Sequence, residues 1–219
     1  MNLREWTSNS AKLNELIPEE DKTDSSITKV LGLTWDTMVD TLSLNVSFAS
    51  IDSQSPTKRI ILKNIASVFD PLGLLCPVLL KGKVLLQSIW KERLDLDDQI
   101  KDFKTLDTWS FVKEDLEKIT SFKFPRTIAM KKFEHNTENV LVCFCDASAK
   151  AYATAVYLLQ RNETETTVHL VFAKSRLAPL KEITIPRLEL MAVLIGVRSV
   201  KFACNQLKLN LKHVYVWTD

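Results

Sequence analysis

The feature that most constrains the fold is an apolar run that ends on a carboxylate. Residues 139–146 form an almost uninterrupted apolar run, and the run ends on the carboxylate of Asp146. A run without polar alternation predicts a central β-strand that is buried on both faces. The small residues Ala147 to Ala149 predict a tight turn directly after it.

Four more elements follow this strand. Residues 152–159 and 167–174 predict two strands separated by a polar loop, which together with the first strand form an antiparallel meander. Thr184 and Pro186 predict the start of a helix that extends to about residue 205 and is largely buried. A last strand is predicted over residues 211–219. We therefore expect an α+β (α/β) unit of order βββαβ over residues 139–219.

The upstream chain has a different pattern. Residues 7–28 are polar and predict a short helix and a loop, whereas residues 29–36 and 41–46 alternate around a turn and predict a β-hairpin. Two helices are predicted, one from Pro56 and Thr57 to Phe69 and one over residues 77–93. Residues 94–138 predict a connector with one helix at 108–119.

The charge is distributed in segments. The chain has a net charge of +2, but residues 57–93 carry seven basic and two acidic residues, and residues 139–219 carry ten basic and six acidic ones. The two basic segments could bind a polyanion between them. The cations that would contact it include Lys58, Arg59, Lys81 and Lys83. A small helical domain with solvated lysines is the alternative for residues 57–93.

The cysteines and the apolar segments limit the class of protein. The four cysteines favour free thiols in a reducing compartment, and the scattered histidines do not have the spacing of a zinc site. No run is long enough to predict a membrane span, and the N-terminus lacks the apolar core of a signal peptide. We expect no membrane partner and a cytoplasmic location.

Three carboxylates are predicted to converge: Asp146 after the first strand, Glu189 in the first turn of the helix and Asp219 after the last strand. Parallel strands joined by a right-handed crossover place their carboxyl ends at one edge of the sheet. A divalent cation would relieve the repulsion of the carboxylates, and magnesium prefers oxygen ligands. The alternative is that the three carboxylates have no common site. Asp146 would then be a turn residue, Glu189 an ordinary carboxylate at a helix N-terminus, and Asp219 an accident of the chain end.

Several motifs resemble the RNase H region of Pao/BEL-type retrotransposon polyproteins, namely Phe144 to Ser148, Ala173 to Pro179, Ile185 to Leu190 and Val216 to Asp219. Upstream, residues 31–35 resemble the end of the reverse-transcriptase palm in that family, and residues 63–90 resemble its thumb and the start of its connection. The resemblance implies a palm end with the hairpin at 1–56, a helical thumb-like hairpin at 57–93, a connection at 94–138 and a truncated ribonuclease H-like mixed sheet at 139–219.

The resemblance also implies an activity. Asp146, Glu189 and Asp219 would be the first three carboxylates of a site that holds two Mg²⁺ ions about 4 Å apart, with Mn²⁺ as a substitute. The site would hydrolyse the RNA strand of an RNA–DNA hybrid. Ser148, Lys174 and Arg176 would contact the substrate, and the cations of residues 57–93 would bind phosphates. The rest of the polyprotein would be a further partner and would complete the fold, including a fourth carboxylate. A retroelement particle or the nucleus would be the alternative to a cytoplasmic location.

Other activities lack their motifs. The polymerase motif Tyr-X-Asp-Asp and the peptidase motif Asp-Thr/Ser-Gly are absent from the sequence. A catalytically inactive fragment that only binds nucleic acid is the main alternative to the nuclease. An actin-like nucleotide-binding relative or a pure interaction domain is the third hypothesis, and the missing glycine-rich phosphate loop argues against nucleotide binding.

Overall fold

The computed structural model describes residues 5–44, 56–119, 121–128 and 137–218, which form two hydrophobic cores, each with a four-stranded sheet. The helices are α1 (Ala11–Leu16), α2 (Lys58–Ser67), α3 (Cys76–Trp90), α4 (Phe103–Ile119) and α5 (Ile185–Leu207). The strands are β1 (Ile27–Val30), β2 (Leu33–Asp36), β3 (Thr41–Ser43), β4 (Lys123–Pro125), β5 (Glu138–Ala147), β6 (Ala151–Arg161), β7 (Thr166–Leu177) and β8 (Leu211–Trp217).

The first sheet has the order β1-β2-β3-β4 and is antiparallel throughout. The predicted first strand of the hairpin is wrong, because a turn divides residues 29–36 into β1 and β2. Leu31 and Gly32 both have positive φ, +49° and +83°, as a tight two-residue hairpin turn requires. The predicted strand over residues 41–46 ends at Ser43 as β3, and its last two residues lie outside the described chain.

The connection segment contributes to the first core. β4 pairs with β3, and Trp109 and Leu116 of α4 are buried in the same cluster as Ile61 of α2 and Ile89 of α3. α4 begins five residues earlier than predicted, because the Asp102 carboxylate accepts a hydrogen bond from the backbone N–H of residue 105 at 2.8 Å and so caps the helix. α4 and β4 are therefore part of a packed unit, not a simple connector.

The loop between α2 and α3 joins the two cores. The Asp70 carboxylate accepts hydrogen bonds from the backbone N–H groups of residues 74 and 75 at 2.9 and 2.8 Å. Gly73 has a φ of +76°, and a Cβ there would overlap the carbonyl oxygen of Ala173. The backbone N–H of Ala173 donates to the carbonyl of Leu72 at 2.8 Å. This loop therefore fixes the start of α3 against β7.

The second sheet confirms the predicted βββαβ unit. Its order is β7-β6-β5-β8, with β5 antiparallel to β6, β6 antiparallel to β7 and β5 parallel to β8. α5 starts at the end of the sheet where β5 ends, and it leads to Leu211, which pairs with Asn139 at the opposite end. α5 therefore runs antiparallel to β5 across one face of the sheet.

Gly196 sets the distance between α5 and this face. A Cβ at residue 196 would lie 3.1 Å from Oγ1 of Thr154 and 3.2 Å from Sγ of Cys143, and it would overlap Sγ of Cys145. These three side chains are buried. Only glycine allows the helix backbone to approach β5 and β6 this closely.

The cysteines agree with the prediction of free thiols. Burial raises the pKa of the Cys143 thiol to about 11. Within the described chain, no helix combines the length and the apolar character that crossing a membrane requires.

Candidate metal and nucleic-acid site

Asp146 lies at the end of the central strand β5, one residue before the strand terminates. Its side chain is exposed, and Oδ1 accepts a hydrogen bond from the backbone N–H of Ala147 at 2.7 Å. The register aligns Asp146 with Ala153 and then with Ser175. Because side chains alternate along a strand, Asp146 lies on the face opposite to Cys145 and α5.

Ser148 lies in the turn after Asp146, as the sequence predicts. Its backbone N–H donates to the carbonyl of Ala151 at 2.8 Å, and its hydroxyl donates to the same carbonyl at 3.2 Å. The hydroxyl also accepts from the N–H groups of residues 150 and 151 at 3.3 Å. The Ser148 hydroxyl therefore holds the turn that follows the carboxylate.

Glu189 is half-buried in the second turn of α5, because the helix begins at Ile185 and its first turn contains no acidic residue. The predicted first-turn position is therefore wrong by one residue, because Glu189 directly follows the first turn. Gly196 packs on Cys145, and Glu189 lies about 10 Å from it along the helix axis, toward the helix N-terminus. This is also the end of the sheet where β5 terminates, so Glu189 and Asp146 lie at the same end of the unit, with α5 on one face of the sheet and Asp146 on the other.

Asp219, the third predicted carboxylate, lies outside the described residues. The parallel ladder between β5 and β8 ends with Phe144 opposite Trp217. Asp146 and Asp219 each follow two residues later in the sequence. Within the described ranges, no group of three His, Cys, Asp or Glu residues is placed to hold a metal ion.

Neither Asp146 nor Glu189 forms an ion pair with another described residue. Glu189 is the only acidic residue on α5, and β7 has none. A half-buried carboxylate without a cationic partner is costly unless another positive charge approaches it. Both carboxylates are thus without an ion-pair partner among the described residues.

Lys174 and Arg176 lie on β7, but not on the same face as Asp146. Lys174 is aligned with Thr154, whose hydroxyl lies 3.1 Å from Sγ of Cys143 on the side that α5 covers. Lys174 and Arg176 therefore lie beside α5, and the structure separates them from the face that carries Asp146.

Lys58 does not have the exposed position that a phosphate contact requires. The residue is only 4% exposed, and its ammonium donates to the carbonyls of Glu92 and Leu94 at 3.0 and 2.8 Å. The ammonium also lies 5.6 Å from the centroid of the Trp90 ring. The predicted solvent-facing position of Lys58 is wrong, and its contacts hold α2 against the end of α3.

The other predicted cations of this region are more exposed. Arg59 donates to both carboxylate oxygens of Asp97 at 2.6 and 2.8 Å, which lowers the pKa of Asp97, and Lys81 donates to Asp115 at 2.8 Å. Lys83 is half-buried on α3. Arg59 and Lys81 therefore present paired charges to solvent rather than a uniformly positive surface.

Lys91 and Arg198 are two cations that the sequence did not assign to a site. Lys91 directly follows α3 and lines a cleft of about 710 Å³ together with Ala149 and Leu188. Leu188 is the residue that precedes Glu189. Arg198 of α5 lines a second cleft with Lys174 and Arg176. Both clefts join segments that are distant in sequence, so no local pattern could have identified them.

The model of the Pao retrotransposon-like RNaseH-like domain family matches residues 57–219. No curated protein matches the chain. One similar solved structure is the foamy viral protease-reverse transcriptase dRH in complex with double-stranded DNA, with 14% identity and a TM-score of 0.42 over 89% of this chain and 31% of that chain. Another is the foamy viral protease-reverse transcriptase in complex with double-stranded DNA, with 15% identity and a TM-score of 0.22 over 90% and 38%. The chain thus spans about a third of the length of these two chains.

Proposed function

Because the chain belongs to the Pao retrotransposon-like RNaseH-like domain family, we propose that it takes part in metal-dependent hydrolysis of the RNA strand of RNA–DNA hybrids. The observation that carries this proposal is the position of Asp146 and Glu189 at one end of the mixed sheet, without an ion-pair partner among the described residues. Asp146 is on a central strand and Glu189 is on the crossover helix, so only folding of the chain brings them to the same end of the sheet.

The carboxylates at this end of the sheet are the type of ligand that supports a proposal of magnesium. Asp146 uses one oxygen for a hydrogen bond to its neighbour, which leaves the second oxygen for a ligand, and Glu189 forms no ion pair with a described residue. Carboxylate oxygens are preferred ligands of Mg²⁺, and Mn²⁺ accepts the same set. Asp219 is the proposed third ligand. When bound, the metal ions supply an activated water and stabilise the leaving 3′ oxygen.

The residues around the two carboxylates keep them in position. The Ser148 hydroxyl holds the turn after Asp146, so the carboxylate is held at the strand end. Gly196 keeps α5 close to β5, and this contact fixes the height of Glu189 relative to the sheet. Ser148 and Gly196 are therefore positioning residues in this proposal.

The proposed substrate is bound through its phosphates and recognised by its shape. A hybrid differs from duplex DNA in groove shape and in the 2′-hydroxyls of one strand. Arg59, Lys81 and Lys83 are proposed as outer phosphate contacts, and Lys91 lies at the same end of the sheet as the carboxylates. Lys58 is left out because its ammonium is bound to two carbonyls.

Cleavage of a labelled RNA–DNA hybrid tests the proposal. The chain and the longer polyprotein that contains it are each assayed with Mg²⁺, as wild type and as Asp146→Asn and Glu189→Gln. Loss of a metal ligand is expected to lower the cleavage rate on the order of 100-fold or more while hybrid binding is retained. Glu163→Gln is the matched control, because it removes an exposed carboxylate from the loop between β6 and β7, at the opposite end of the sheet.

Two results would contradict the nuclease. One is undiminished cleavage by Asp146→Asn. The other is the absence of cleavage by both the chain and the longer polyprotein, although both bind hybrid with a steep dependence on salt concentration. That second result would support the alternative of a catalytically inactive protein that binds nucleic acid.

A further inference from the structure

A basic cleft lies between β7 and α5, on the face of the sheet opposite to Asp146. We define this β7–α5 cleft by three cations, Lys174, Arg176 and Arg198, and by the aromatic pair Phe172 and Phe202. Its volume is about 360 Å³. It combines a sheet edge and a helix face that are both rigid elements of the second core.

The three cations of the cleft are exposed, and none of them forms an ion pair with a described residue. β7 and α5 together carry five lysines and arginines against one acidic residue, Glu189. Glu189 lies more than two turns of helix away from Arg198. The cleft therefore has a local excess of positive charge, in contrast to Arg59 and Lys81, whose charges are paired with carboxylates.

The spacing of the cations suits a chain of phosphates. Lys174 and Arg176 lie on the same side of one strand, about 6.6 Å apart along it, and Arg198 faces them from the helix. A row of cations at this spacing can contact successive phosphates of one strand. A single small anion would need only one of the three cations.

Two aromatic rings also line the cleft. The rings of Phe172 and Phe202 lie 5.8 Å apart between centroids, and Phe202 is 53% exposed. An exposed aromatic beside cations offers an apolar surface to a sugar or a base while the cations contact the phosphates. This combination favours nucleic acid over an acidic peptide.

We propose that the β7–α5 cleft, with Arg198 as its helix-borne cation, binds the phosphodiester backbone of a nucleic-acid strand that extends past the sheet edge. The inference rests on the proposed function for the identity of the ligand, and it assigns this contact to the face opposite to Asp146. Phosphate contacts carry no sequence information, so the cleft contributes affinity and orientation but no base specificity.

Fluorescence anisotropy with a labelled RNA–DNA hybrid tests the inference. The titrations contain EDTA so that binding is measured without cleavage. Arg198→Gln and Lys174→Gln are each expected to weaken binding on the order of fivefold and to reduce the slope of log K against log salt by about 0.9. The double variant is expected to reduce the slope by about 2.

Arg161→Gln is the matched control. Arg161 is an exposed arginine at the last position of β6, at the opposite end of the sheet from Arg176, which is aligned with Tyr152. Its replacement is expected to leave the salt slope unchanged. Thermal unfolding of each variant shows whether the fold is intact, and we expect it to be intact because the replaced side chains are exposed.

Three results would overturn the inference. One is an equal loss of hybrid affinity in Arg161→Gln and Arg198→Gln. The second is that the wild-type chain does not bind hybrid at low salt. The third is that polyglutamate binds as tightly as the hybrid and competes with it. Failure of the proposed nuclease gives a different result, because the cleft variants would still weaken binding while no form of the protein cleaved the hybrid. The two claims are thus separable.

Discussion

Gly196→Ala is the substitution that most sharply tests how α5 is placed on the sheet. The new methyl group would overlap Sγ of Cys145 and would lie 3.1 Å from Oγ1 of Thr154. Both neighbours belong to central strands, so neither can move without disturbing the sheet. Because Glu189 is on the same helix, a shift of α5 also moves this carboxylate relative to Asp146.

Two opposing effects determine the magnitude. Alanine in a helix interior is favoured over glycine by about 1 kcal/mol. Overpacking of a core costs about 1–3 kcal/mol, and the severe overlap with Sγ places this site near the upper end. We expect Gly196→Ala to lower the free energy of unfolding by about 1–2 kcal/mol.

Urea unfolding followed by circular dichroism measures this change, and a double-mutant cycle identifies its cause. Cys145→Ala removes the overlapped sulfur and is expected to cost about 1 kcal/mol alone. In the Gly196→Ala background, Cys145→Ala should lower the free energy of unfolding by less than it does in wild type. The double variant should therefore be more stable than the sum of the two single effects predicts, by about 1–2 kcal/mol. Stabilisation by Gly196→Ala alone would refute the close contact between α5 and β5.

Three further predictions concern other parts of the chain. Hydrogen bonds from Arg126 lower the pKa of Asp40 below 3.8, so their stabilisation is present at neutral pH and is lost as the pH falls through the folded-state pKa. Urea unfolding should therefore show that Arg126→Gln destabilises the protein at pH 7 and that the difference from wild type disappears in acid. Lys58→Met leaves two carbonyls without their donor and should lower the free energy of unfolding by about 2–3 kcal/mol, while anisotropy shows unchanged hybrid affinity. Because burial raises its thiol pKa to about 11, Cys143 should resist alkylation at pH 8 until urea unfolds the chain, as measured by mass spectrometry.

The second sheet and its crossover helix could be predicted from sequence because their signals are local. The apolar run before Asp146 has the pattern of a strand buried on both faces, and α5 has a proline at its start and a continuous apolar face. Such elements need no information from distant segments. The order βββαβ and the shared sheet end of Asp146 and Glu189 follow from them and from the handedness of crossovers.

The errors have physical reasons as well. The turn at Leu31 and Gly32 was missed because the apolar alternation continues across it, although glycine supplies the required positive φ. Lys58 was predicted to be solvent-facing, but its partners are carbonyls that lie 34 and 36 residues away. Arg198 joins Lys174 only through the packing of α5 on the sheet. Contacts of this kind depend on the fold and leave no periodic signal.

Cleavage of the protein backbone by Fe²⁺ measures most directly whether Asp146 and Glu189 form one metal site. Fe²⁺ occupies Mg²⁺ sites and, with ascorbate and peroxide, releases hydroxyl radicals that cut the chain close to the bound metal. We predict cuts near residues 146–148 and near residues 187–190, both suppressed by excess Mg²⁺ and both lost in Asp146→Asn. Cuts at only one of these segments, or cuts that persist in Asp146→Asn, would contradict the shared site.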